Sequence, residues 1–181
     1  MKHLFTTKRL GFRHWNQEDK IPFAKMNSDK QVMQYFPKTL SSYESDHLVD
    51  RICHHFEKYG YGLYAVDSLD SRQFIGFIGF QHTTFQEFFT PCIEIGWRLS
   101  PLFWKRGLAT EGAKKCLHYG FREIGFNDIY SFTAKTNKPS EKVMKNIGMS
   151  HIGEFHHPLV APKSSLWQHV LYHVSSKSIK L

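Results

Sequence analysis

The chain holds only three cysteines in 181 residues, Cys53, Cys92 and Cys116, widely spaced and with no CxxC pair. An odd, scattered set argues against a disulfide framework and fits a reducing cytoplasm. No apolar run approaches the length of a membrane span, and the opening MKHLFTTKRL lacks the apolar core of a secretory signal, so neither anchor nor leader is expected. Acidic residues are in the minority, 16 against 24 Lys and Arg, for a net charge of +8. That balance suits nucleic acid, a ribonucleoprotein or a multiply phosphorylated cofactor, or else a solvated basic surface. No run of Lys and Arg interleaves with aromatics, so direct nucleic-acid readout is not expected. GxGxxG after the first strand, GxxxxGK(S/T) and HExxH are all missing. The adjacent pair His54–His55 would point about 100° apart on a helix, which suits surface histidines better than ligands of one metal ion.

What is present can build a core: 41% of the residues are hydrophobic and 15% aromatic. No repeat, low-complexity tract or linker divides the chain, so one domain over residues 1–181 is expected. Leu10 and Phe12 alternate with Arg9, Gly11 and Arg13 as a first strand. Three helices follow, one starting near Asn16–Asp19, one capped by Ser28 and running through Val32, Met33 and Tyr35, and one from Ser41 or Ser42 to Gly60. Strands are then predicted at 61–67, 73–81 and 92–99, a helix from the glycine turn to Gly125, a strand at 128–134, a helix at 137–147, and final strands at 150–155 and 167–174. Strands first meander and then cross over once through a helix, implying a mixed α/β sheet of about seven strands with helices on both faces.

The most informative stretch is Ile93 to Phe121, IEIGWRLSPLFWKRGLATEGAKKCLHYGF, where a strand enters a basic glycine turn that opens into an amphipathic helix. The first amides of a helix lack intrahelical partners and sit at the positive end of its dipole. Lys105 and Arg106 add full charges, while Gly107 and Ala109 keep bulk away. Such a turn suits a pyrophosphate.

The linked series IEIGWRLSP, WKRGLATEG and TNKPSEKVMKNIGM, preceded by TKRLGFRHWNQED, QVMQYFP and QFIGFIGF, resembles the GNAT superfamily of N-acetyltransferases. Within it the likeness is to the branch containing the ribosomal-protein N-terminal acetyltransferases, and it covers nearly the whole chain. The resemblance implies a strongly twisted sheet whose fourth strand, here 92–99, splays from its neighbour to form a slot. It implies acetyl-CoA as co-substrate and no metal. The family's pyrophosphate turn, (Q/R)-x-x-G-x-(G/A), falls on Trp104, Lys105, Arg106, Gly107, Leu108 and Ala109, with Thr110 following in the helix. Trp104 departs from the family's Gln or Arg. The backbone of Trp97, Arg98 and Leu99 would pair with the pantetheine arm, and Asn137 and Ser140 match cofactor-contacting positions.

Acetyl transfer needs a proton acceptor for the amine and a proton for the leaving thiolate. Glu94, in the slot strand, is the candidate base; a plain carboxylate paired with a neighbouring cation is the other reading. Ser140 is the candidate acid, with Tyr130 and Tyr172 as competitors, and helix capping is the ordinary use of Asn137 and Ser140 at this spacing. A backbone N–H near Gly96 or Trp97 would meet the oxyanion. A thiol nucleophile, Cys92 or the buried Cys116, has no histidine at a diagnostic spacing. The acceptor side would involve Met33, Tyr35, Phe36 and the loops 85–89 and 156–165. The resemblance thus implies a cytoplasmic N-acetyltransferase, monomer or homodimer, acting on a protein N-terminal α-amine. A small amine (polyamine, aminoglycoside or amino acid) as acceptor and a non-catalytic acyl-CoA or RNA-binding module stay open as alternatives.

Overall fold

Helix boundaries fall where side chains can serve unpaired backbone groups. The Ser41 hydroxyl accepts from the Glu44 amide and the Glu44 carboxylate accepts from the Ser41 amide, opening α3, Ser42–Tyr59, which Gly60 ends in the left-handed region. Such a cap contributes about 1 kcal/mol. Asn16 and Asp19 cap the 3-10 turn Gln17–Asp19, which leads into α1, Lys20–Ser28. The next helix, α2, is only Lys30–Met33 and starts on Asp29, not on the expected Ser28. The Asp29 carboxylate accepts from the Gln31 amide at 2.8 Å, whereas the Ser28 hydroxyl turns back to the Lys25 carbonyl. In the computed structural model, which describes residues 2–178, no helix is long and apolar enough to cross a membrane.

The seven expected strands are all found, and the two-residue β1, Phe5–Thr6, adds an eighth at one edge. The others are β2, Leu10–Arg13; β3, Leu63–Ser68; β4, Gln73–Thr83; β5, Cys92–Leu99; β6, Asp128–Ala134; β7, Ser150–His156; and β8, Gln168–Ser175. They lie in the order β1-β2-β3-β4-β5-β6-β8-β7, antiparallel except between β5 and β6. The crossover joining that parallel pair is α4, Leu108–Tyr119, extended by a π turn at Gly120–Ile124 rather than by continuous α-helix. The last helix is α5, Lys138–Asn146.

The strand expected at residues 9–13 is present, and all four residues of β2 are buried, Arg13 included. Its guanidinium donates to both carboxylate oxygens of Asp67 in β3, each at 2.7 Å, and to both of Asp19 at 2.6 and 2.8 Å. Burial opposes its charge, but the bonds to Asp19 and Asp67 outweigh that and raise its pKa. A charge removed from water survives only when paired this fully. The cluster fixes the entry of α1 against the sheet.

Paired residues point to one face of a sheet. Phe77, Gln81, Cys92, Glu94, Gly96, Arg98, Tyr130 and Phe132 therefore share a face, and Ile78, Ile95, Trp97, Ser131 and Thr133 share the other. Helix α1 packs Phe23 on the first face against Phe77, with ring centroids 6.0 Å apart. On the second face α4 lies so close that a Cβ on Gly112 would fall 2.4 Å from Ile78. Both faces are thus covered by helices, and the main core joins residues of α1, α3 and α4 with the sheet.

Candidate active site

Strand β5 pairs with β4 along its whole length, from Gly76↔Leu99 to Thr83↔Cys92, but with β6 at one position only, Glu94↔Tyr130. Ser131 adds one further link, its hydroxyl donating to the Ile95 carbonyl at 2.9 Å. Beyond Ile95 the two strands part, which is the expected splay. Backbone groups alternate edges along a strand, so the edge that Ile95 turns to Ser131 is the edge Trp97 turns into the opening. Arg98 faces Phe77 of β4 instead. Of the three residues expected to offer backbone here, Trp97 does; the Leu99 carbonyl is taken by the Trp104 indole N–H at 2.7 Å.

That indole bond explains Trp104. It pins the turn to the end of β5. Lys105 and Gly107 then both adopt positive φ, 58° and 76°, so the chain reverses sharply before α4. Lys105, Arg106 and Gly107 are exposed. A Cβ on Gly107 would meet nothing nearer than Arg9 Nη2 at 3.8 Å, which leaves open space in front of the helix end. The Glu111 amide bonds to the Gly107 carbonyl, so the amides of Leu108, Ala109 and Thr110, lying before that first helical bond, remain for an outside acceptor. Glu111, the one acid of this first turn, is held by Thr7 and Arg9, the latter also donating to the Arg106 carbonyl at 3.0 Å. The donor set is that of an anion cradle.

Glu94 stands at the start of the opening. The Thr83 hydroxyl donates to it at 2.9 Å, and among the described residues no cation pairs with it. Burial pushes its pKa up to about 7, with the Thr83 bond working the other way. Glu94 as a residue is only half-buried, although protein crowds its carboxylate. A Cβ on Gly96, the next residue along this face, would meet only Glu94 Oε1 at 4.0 Å, so the floor beside the carboxylate is open.

Across the sheet, Asn137 is the N-cap of α5: its carbonyl oxygen accepts from the Ser140 amide, while its amide nitrogen donates to Thr133 Oγ1 at 2.9 Å and Ser140 Oγ at 3.1 Å. The Ser140 hydroxyl accepts there and keeps its own proton to donate. Glu94 and the α5 start thus approach the opening from opposite faces. The rival Tyr172 is committed to Glu141 at 2.9 Å, whereas Tyr130 shares the Glu94 face, stacked on Phe89 with burial raising its pKa.

The thiols of Cys92, in β5, and Cys116, buried on α4, are both held protonated. Burial, then the charge of Glu94, pushes Cys92 up to about 12, and burial raises Cys116 as well. The expected acceptor loops divide. Phe85 and Phe89 pack with Phe132 and Phe155 in a second apolar cluster, and His157 lies against it, while Phe36 lies over the Arg98 guanidinium at 4.2 Å. The side-chain setting of Arg98 was not legible in the sequence beyond its even spacing from Glu94, which places both on one face of β5.

Residues 9–150 match the family model described as an acetyltransferase (GNAT) domain. An uncharacterized N-acetyltransferase of Bacillus subtilis, YnaD, is 32% identical over 169 residues, covering 93% of this chain and 94% of that protein. Among solved structures, a ribosomal L7/L12 α-N-protein acetyltransferase in complex with coenzyme A superposes with a TM-score of 0.79 at 14% identity, covering 98% of this chain and all of that one. A spermidine N-acetyltransferase from Vibrio cholerae, in complex with CoA and spermine, gives 0.75 at 16% identity, covering 95% of this chain and 98% of that one. At those identities the two structures establish the fold.

Proposed function

We propose that this chain, which belongs to the acetyltransferase (GNAT) family and is an N-acetyltransferase, transfers acetyl from acetyl-CoA directly to a protein N-terminal α-amine. The observation that carries the reading is the one-position pairing of β5 with β6, which leaves the Trp97 backbone facing a slot between a carboxylate and a helix start. The cradle at Lys105–Thr110 would hold the pyrophosphate, Trp97 the extended arm as an added strand, and the α5 start, Asn137 and Ser140, the end near the sulfur. Acetyl-CoA supplies an activated acyl group as a thioester. Glu94 takes the proton as the amine nitrogen bonds to the carbonyl carbon, and an unpaired strand amide stabilises the oxyanion. The carbon–sulfur bond then breaks and Ser140 gives its proton to the thiolate, regaining one from solvent. An α-amine of pKa about 8 needs only a base near neutrality, whereas a lysine at about 10.4 needs more; a Glu94 titrating at about 7 suits the former. The basic surface, +8 overall, suits a ribosome-associated acceptor in the cytoplasm better than a polycation.

Incubation with acetyl-CoA and a panel of peptide N-termini and small amines, followed by free thiol release, tests the reading. Release with peptides and not with polyamines is expected. Release with small amines alone would overturn the acceptor, and no release with any amine would overturn catalysis. The cradle has its own check. Gly107→Ala should cost about 1–2 kcal/mol through its φ of 76° and weaken CoA binding about tenfold, read by denaturant unfolding and calorimetric titration.

A further inference from the structure

Arg98 is a cation in an unusual setting. Its guanidinium carbon lies 4.2 Å from the Phe36 ring centroid, 5.4 Å from Phe77 and 6.0 Å from Phe23. Among the described residues one acceptor serves it, Asn27 Oδ1, at 2.6 Å from Nη1, and Asn27 is itself buried and oriented by Ser45 at 2.9 Å. Nε is buried with no partner, and among the described residues no carboxylate pairs with this side chain. A guanidinium has five donors in a planar fork matched to a carboxylate. Burial holds its pKa down, to about 10, and nothing nearby compensates. Arg13, in the same fold, is buried with two carboxylates; Arg98 is enclosed with a neutral amide and three aromatic rings.

Arg98 also shares its face with the candidate base. Glu94, Gly96 and Arg98 occupy alternate positions of β5, and the floor between the two charged residues is the open site above Gly96. Four residues of strand span roughly 13 Å between the two Cα atoms.

We propose that Arg98 is an acceptor-specificity residue that pairs with a carboxylate carried by the amine acceptor, the amine lying toward Glu94 across the Gly96 floor. The reading rests on the acetyl transfer proposed above. Carboxylate and amine in one acceptor can come from a peptide with Asp or Glu shortly after its N-terminus, or from a small amino acid. The span favours the peptide, since an extended chain covers about 3.3–3.6 Å per residue and brings the side chain of its second or third residue to the guanidinium. A polyamine would meet an unpaired positive charge instead.

The test compares kcat/KM for matched acceptors that differ only in charge: peptides with Asp against Asn, and with Glu against Gln, at the second and third positions, and ω-amino acids of increasing length against their amides. Wild-type protein should prefer the acids at least tenfold, and Arg98→Met should bring the ratio to about one, with Arg98→Lys between. Because each ratio is taken within one variant, general damage cancels. A ratio near one in wild-type protein overturns the proposal without any variant needing to fold, as does an unchanged ratio in Arg98→Met. Preference confined to the peptide pairs identifies an acidic N-terminal segment as the acceptor, and preference confined to the amino acids overturns the peptide placement. Absence of thiol release from every acceptor would strike the transfer reading instead, so the two failures are distinguishable.

Discussion

Glu94→Gln should lower kcat/KM for acetyl transfer about 10²–10³-fold at pH 8 and abolish the rising limb of the pH profile. In the wild-type protein that limb should climb through about pH 7, because burial holds the Glu94 carboxyl protonated well above its ordinary value of 4.5. Glutamine keeps the shape and the Thr83 contact but cannot take a proton, so a limb that persists in the variant removes Glu94 as base. Stability supplies an independent reading of the same group. A carboxyl whose pKa is raised on folding binds its proton more tightly in the native state, so the native state loses stability as pH climbs from about 4.5 to about 7. Glu94→Gln should relieve that loss, gaining up to about 3 kcal/mol at pH 8 and nothing at pH 4, as seen by urea unfolding at both pH values. Lost activity with gained stability is not what general damage produces.

Arg13→Met should be the most damaging single change to the fold, costing about 3–5 kcal/mol at pH 7. It strands Asp19 and leaves Asp67 to His3, 3.1 Å away, where the two buried carboxylates now share one guanidinium. The triple change Arg13→Met, Asp19→Asn, Asp67→Asn, which removes the uncompensated charges, should recover much of the loss. Urea midpoints for both variants at pH 7 check this. A loss below about 1 kcal/mol at pH 7 would mean that the cluster is solvated in solution.

The fold was legible wherever local chemistry decides it. Ser41 and Gly60 bracket a helix because capping is local, and the strand at 92–99 shows its length because Ile93, Ile95, Trp97 and Leu99 alternate through it between proline and serine. The helix at Lys30 was misplaced by one cap because Ser28 and Asp29 both suit the role, and a competing bond to the Lys25 carbonyl decided between them. Burial of Arg13 was hidden because its partners lie 6 and 54 residues away. The same holds for the site. The cradle at Lys105–Thr110 is contiguous and readable. Glu94 could be nominated, but the burial that raises its pKa depends on how distant parts of the chain pack around it. In the sequence Arg98 carries a signal only through its backbone; its enclosure by Phe23, Phe36 and Phe77 comes from three separate segments of the chain.

The single pairing at Glu94↔Tyr130 has a mechanical side. Five strands lie on one side of it and three on the other, and across the seam the backbone is riveted at one point, with Ser131 as a second pin. What holds the two sides together is therefore side-chain packing, since one buried cluster runs from Ile78 and Ile95 to Ile129 and Tyr172 beneath the seam. An occupant that bonds along the Trp97 edge would add rivets where the backbone has none, and Glu94, placed at the existing rivet, is where such an addition would displace the chain least.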